Sequence, residues 1–135
     1  MREIVAIGPR DEVQAHIVRF KEEIRRFGDR LGLGLEVQAG SDPFYQPQSS
    51  RAILQQIFPQ KEEFLYGGSL AIASVNFHRN FFGERCQIRT ADGNFAFTSC
   101  VAFGVERWLY ALLERFGDAA AATAAIEAAL EGGHA

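Results

Sequence analysis

The stretch with the most chemistry in it is Thr98-Ser99-Cys100-Val101-Ala102-Phe103-Gly104-Val105-Glu106-Arg107-Trp108. Small residues alternate with apolar ones along a predicted strand. Gly104 then turns the chain into a helix with Glu106 and Arg107 in its first turn. Small side chains leave room for a flat ligand against the strand, and an arginine at a helix N-terminus suits a phosphate. A plain strand-to-helix junction carries the same pattern, and Arg107 could equally pair with a carboxylate on its own helix. By residue type alone, Cys100 reads as a small buried residue. Cys86 reads as a core or half-buried thiol, and His78 as a hydrogen-bonded structural histidine. Neither cysteine belongs to a Cys-x-x-Cys step, so a structural zinc ribbon is not encoded. The chain has no Gly-x-x-x-x-Gly-Lys-Ser/Thr loop, no Gly-x-Ser-x-Gly elbow and no His-x-x-x-His pair.

These residues need a scaffold to hold them. Residues 2–8 read as a strand, broken by Pro9 and Arg10. Asp11 followed by Gln14 has the form of a helix start. Val13, Ile17, Phe20, Ile24, Phe27 and Leu31 then recur every three or four residues, one apolar stripe on a helix of about five turns. Its other face carries Arg19, Lys21, Glu22, Glu23, Arg25 and Arg26, and Gly28 or Gly32 ends it. A short strand is expected over 33–38, a loop over 39–50 and a short helix over 51–58. Residues 61–66 and 69–77 read as a hairpin around Gly67-Gly68, and 86–90 and 94–102 as a second around Asp92-Gly93. A helix after Gly104 presents Val105, Trp108, Leu109, Leu112, Leu113 and Phe116, and 118–131 is helical by its alanine content. Phe77, Phe81, Phe82, Phe95, Phe97 and Phe103 read as core. The expected class is α+β, with a mainly antiparallel sheet flanked by helices.

Composition sets the outer limits. The chain has 135 residues, 47% hydrophobic and 23% charged, which excludes wholesale disorder. Lys plus Arg is 14 against 17 Asp plus Glu, a net charge of −3. That balance argues against a chain built mainly to bind nucleic acid. No uncharged run reaches the ~18 residues of a membrane helix, and the charged N-terminus is no secretory signal. A cytoplasmic protein with reduced thiols and no membrane partner is the expectation.

Cys100 through Arg107 resembles motif 3 of the class II aminoacyl-tRNA synthetases. The combination of Ser74-Val75-Asn76-Phe77-His78, Phe82-Gly83, Ala91-Asp92-Gly93 and 98–104 is similar to a narrower group, the amino acid:carrier-protein ligases. Those are relatives of the atypical zinc-dependent seryl-tRNA synthetases. Met1-Arg2-Glu3-Ile4-Val5 looks like the closing strand of their motif 2, and Ser41-Asp42-Pro43-Phe44 also recurs in them. The resemblance covers residues 1–117, the C-terminal part of a catalytic core from the end of motif 2 to motif 3. Residues 118–135 form a separate alanine-rich helix and tail.

The resemblance implies roles position by position. Arg107 binds the phosphates of ATP, which comes with magnesium, and is the catalytic candidate. Glu3 and Cys100 are two zinc ligands, and the zinc holds the amino group of a small amino acid. Ser74, Asn76 and Glu63 floor the substrate pocket. The family's third zinc ligand is a cysteine expected upstream of Met1; motif 1, which builds the family's homodimer, and most of motif 2 are absent from the sequence. The expectation is therefore a fragment or a truncated paralogue of an enzyme that makes an aminoacyl-adenylate and passes the amino acid to the phosphopantetheine thiol of a carrier protein. Carrier proteins are acidic, so Arg19, Arg25, Arg26 and Arg30 form an expected contact set. Two alternatives remain: a non-catalytic half-site that binds a carrier protein or a homologue, and a seryl-tRNA synthetase-like fragment, which the net charge disfavours.

Overall fold

A computed structural model describes residues 1–40 and 61–132. Five strands, β1 (Arg2–Gly8), β2 (Glu36–Ala39), β3 (Lys61–Tyr66), β4 (Leu70–Arg79) and β5 (Phe97–Phe103), form one sheet in the order β1-β5-β4-β3-β2. Every pairing is antiparallel. Among the described residues four helices accompany it: α1 (Arg10–Arg30), α2 (Phe81–Arg85), α3 (Val105–Phe116) and α4 (Ala119–Glu131). The expected α+β class and antiparallel sheet are both present. The loop and helix expected over 41–58, including Ser41 to Phe44, lie outside the described residues.

The core follows from the stripe of α1. Ile24, with Ile17 and Phe20 beside it, packs on Phe64, Ala73, Val75 and Val101, the residues of β3, β4 and β5 that point to the helix side. A second cluster joins Leu31 and Leu33 to Ile72, Leu112, Ala122 and Ala129, so α3 and α4 close the end of the layer. Ile72 reaches that cluster because the β3–β4 register slips: Phe64 faces Ala73 while Leu65 faces Ala71, leaving Ile72 as the extra residue of a bulge.

Several boundaries differ from expectation for identifiable reasons. Helix α1 begins at Arg10, after an extended Pro9, and no side chain caps it, so Asp11 lies in its first turn rather than at its cap. Leu31 caps the C-terminal end and Gly32 follows with φ +63°. At the β3–β4 turn, Gly67 and Gly68 both have positive φ, as a tight hairpin requires. The second hairpin does not form as a ladder. Gln87 takes φ +55°, Ile88 N–H bonds back to Gly83 of α2, and only one bridge, Arg89 to Phe95, survives before β5 starts at Phe97. Phe81 and Phe82 are exposed on α2 rather than in the core, as are Val105, Leu109 and Leu113 on α3.

Candidate functional site

In a sheet, residues paired across strands share a face, and so do alternate residues along one strand. The register makes this decisive. Glu3 faces Ala102 and Val5 faces Cys100 between β1 and β5. Cys100 faces Asn76 and Ala102 faces Ser74 between β5 and β4. Asn76 faces Lys61 and Ser74 faces Glu63 between β4 and β3, and Glu63 faces Gln38 on β2. Two rows thus run side by side across the sheet: Glu3, Ala102, Ser74, Glu63, Gln38, and Val5, Cys100, Asn76, Lys61. Both lie on the face opposite α1. The five sheet residues singled out from sequence, Glu3, Glu63, Ser74, Asn76 and Cys100, come together there.

The face is polar and partly shielded. Cys100, Asn76, Ser74, Lys61 and Glu63 are half-buried, while Glu3 near the strand end is exposed. Burial pushes the Cys100 thiol above its ordinary range, and the Glu3 carboxylate adds to that; Lys61 opposes it. Glu3 and Lys61 are therefore both within electrostatic reach of the sulfur. The Lys61 ammonium also pairs with Glu63, Nζ to Oε1 at 3.1 Å. Lys61 was read from sequence only as the start of a strand; its two-residue spacing from Glu63 was the signal that they share a face.

Arg107 sits at one end of this face. Gly104 N–H donates to the Ile72 carbonyl at 2.9 Å, which fastens the start of α3 to the bulge of β4. The Arg107 guanidinium donates through Nη1 to the Ala71 carbonyl at 2.8 Å, three residues along β4 from Ser74. It makes no ion pair with a carboxylate among the described residues, so the same-helix pairing open at sequence level is not formed. The side chain is exposed, with most of its five donors left over for an anion.

The described residues do not assemble the expected zinc site. Glu3 and Cys100 supply two donors on one face, but among the described residues no group of three His, Cys, Asp or Glu side chains converges on a point. Two donors fall short of the three protein ligands of a catalytic zinc. The other cysteine, Cys86, is exposed rather than core or half-buried as expected, because it caps the C-terminal end of the short surface helix α2. His78 has the structural role expected, its Nδ1 3.0 Å from Thr98 Oγ1 and its ring against the edge of Phe82. On α1, Arg19 pairs with Glu23 and Arg26 with Glu22, so half of the expected basic contact set is already neutralised locally. Among the described residues no helix is long and apolar enough to cross a membrane.

Comparison with known proteins places the fold. No family model matches the chain. Amino acid–acyl-carrier-protein ligase 1 of Bradyrhizobium diazoefficiens is 34% identical over 123 residues, 87% of this chain. Ligase 2 of the same organism is 33% identical over an equal length. The type-2 serine–tRNA ligase of Methanocaldococcus jannaschii is 26% identical over 125 residues, 85% of the chain. A crystal structure of M. kandleri SerRS in complex with A. aeolicus tRNASec superposes on 87% of the chain with a TM-score of 0.68, at 24% identity. This is a class II synthetase-like chain. It spans 38% and 37% of the two curated ligases and 24% of the M. jannaschii protein. The synthetase-like sheet accounts for the arrangement described above: its strands carry the row of small and polar residues, and its last strand delivers Arg107 to their end.

Proposed function

We propose that this chain forms part of an ATP-dependent ligase that activates a small amino acid and transfers it to a carrier-protein thiol. One observation carries the reading. Glu3, Cys100, Ser74, Asn76 and Glu63, drawn from four strands, share the sheet face opposite α1, with Arg107 at its end. Relatives named as amino acid–acyl-carrier-protein ligases support it.

In the first step the carboxylate of the amino acid attacks the α-phosphorus of ATP, and pyrophosphate leaves. In the second, the phosphopantetheine thiol attacks the acyl carbon and AMP leaves. Chemistry of this kind needs positioning and charge neutralisation more than a dedicated base. Arg107, steadied on Ala71, meets the phosphates together with magnesium. Ser74, Asn76 and Glu63 line the floor under the amino acid. Glu3 and Cys100 are the candidates for two zinc ligands, the third coming from outside the described residues; a bound zinc would act as a Lewis acid toward the substrate amine.

The test is ATP–pyrophosphate exchange with glycine, alanine and serine in the presence of magnesium and zinc. Exchange with at least one of them, lost in Arg107→Ala with the fold retained, supports the reading. No exchange, with carrier-protein binding retained, would favour the half-site binding module. Charging of tRNA instead of a carrier protein would favour the seryl-tRNA synthetase-like alternative.

A further inference from the structure

Lys61 and Glu63 stand two residues apart on β3 and point to the face opposite α1. Their ion pair differs from those on the outer surface of α1. The side chains of Lys61 and Glu63 are 25% and 29% exposed, against 52% or more for Arg19–Glu23 and Arg26–Glu22. Surface pairs of that second kind contribute little and hold no fixed geometry. The backbone of Gly40 lies against this one. Gly40 N–H donates to the Lys61 carbonyl at 3.0 Å. A Cβ added at Gly40 would stand 3.0 Å from the Cγ atoms of both Lys61 and Glu63. The two stems therefore run close over Gly40, where a methyl group would need them to give by a few tenths of an ångström. On the neighbouring strand Ser74 faces Glu63 and Asn76 faces Lys61. The pair walls the floor on the β3 side.

We propose that Lys61 is a positioning residue for amino acid recognition: it locks the Glu63 carboxylate beside Ser74 and Asn76, so that the floor accepts a small amino acid. The inference rests on the ligase reading above and adds to it a residue and a mode of action. Lys61 acts through Glu63 and not through contact with the substrate. Loss of the ammonium frees Glu63 to turn toward water, which weakens ground-state and transition-state binding alike and so raises KM with little change in kcat.

Four variants test this: Lys61→Met, Lys61→Arg, Glu63→Gln and the double variant Lys61→Met/Glu63→Gln. Exchange kinetics and calorimetric binding of glycine, alanine and serine are measured first on the unaltered protein. Lys61→Met is expected to raise KM and the dissociation constant about tenfold, the scale of coupling between contacting residues. Lys61→Arg restores most of the loss, and Lys61→Met adds nothing in the Glu63→Gln background. Thermal melts confirm that each variant folds; should Lys61→Met fail to fold, the Arg variant and the Glu63→Gln comparison carry the test. Neither exchange nor binding in the unaltered protein overturns the ligase reading and this proposal with it. Normal activity there, with Lys61→Met unchanged or its effect undiminished in Glu63→Gln, overturns the role of Lys61 alone.

Discussion

Glu3 and Cys100 are diagonal neighbours on adjacent antiparallel strands: Glu3 faces Ala102, and Cys100 lies two residues back along β5. Diagonal residues on one face are about 7–8 Å apart, close enough for a carboxylate to disfavour a thiolate. Burial and this carboxylate together raise the Cys100 thiol. Alkylation requires the thiolate. In metal-free protein at pH 7.5, iodoacetamide should modify exposed Cys86 well before Cys100. Glu3→Gln should speed modification of Cys100 severalfold and leave Cys86 unchanged. Equal Cys100 rates in the two proteins would dissolve the electrostatic link.

The same two residues make a prediction for metal. A ligand that binds only the folded state raises its melting temperature. If Glu3 and Cys100 hold zinc, zinc should raise the Tm of the unaltered protein and fail to do so in Cys100→Ser and Glu3→Gln. An identical shift in all three proteins would rule out both ligand assignments.

Acid sensitivity should come from His16. Its Nδ1 lies 3.1 Å from the fully buried Ser99 hydroxyl, on the helix side of the sheet, and its Nε2 is buried with no partner among the described residues. Burial, then the nearby Arg19 charge, lowers its pKa below 6.5. The folded state thus binds this proton less readily than the unfolded chain. The contribution is present in full above pH 6.5 and is lost as the pH falls through the lowered folded value. Urea melts from pH 7.5 down to pH 5 should show stability falling, with a shallower fall in His16→Gln. Parallel curves would show that His16 contributes nothing to it.

Gly83 should tolerate no side chain. A Cβ there would stand 2.1 Å from the carbonyl oxygen of Ala96, a backbone atom that cannot step aside cheaply. Gly83→Ala should cost about 1–3 kcal/mol or more, the range of overpacked sites. Denaturant melts would read it as a lower midpoint with an unchanged slope. A midpoint equal to that of the unaltered protein would mean that α2 can shift away from β5 without loss.

Much of the scaffold was legible one element at a time. The four-and-three spacing from Val13 to Leu31 marked α1 because a helix must bury a stripe. Gly67-Gly68 marked the β3–β4 turn because both positions need positive φ. The 86–102 hairpin stayed short of a ladder because Gln87 adopts φ +55° and the Ile88 N–H turns back to Gly83 of α2, leaving only its carbonyl for Ala96, a competition no local pattern records. Phe81 and Phe82 misled for a related reason. Apolar character sets what a residue would gain by burial, but α2 presents both rings to solvent.

The candidate site divides along the same line. The amino-acid sequence by itself determined which side chains were available and how each alternates along its own strand, because local stereochemistry sets that period. The resemblance carried by residues 98–107 points to Arg107 and Cys100, and that carried by residues 1–5 points to Glu3. Only the tertiary structure decided that four strands far apart in sequence bring Glu3, Cys100, Ser74, Asn76 and Glu63 onto one face, and that Lys61 belongs among them. Register decides it, since a one-residue slip between any two strands would send a partner to the opposite face. The buried packing of α1 against Phe64, Val75 and Val101 is what holds that register.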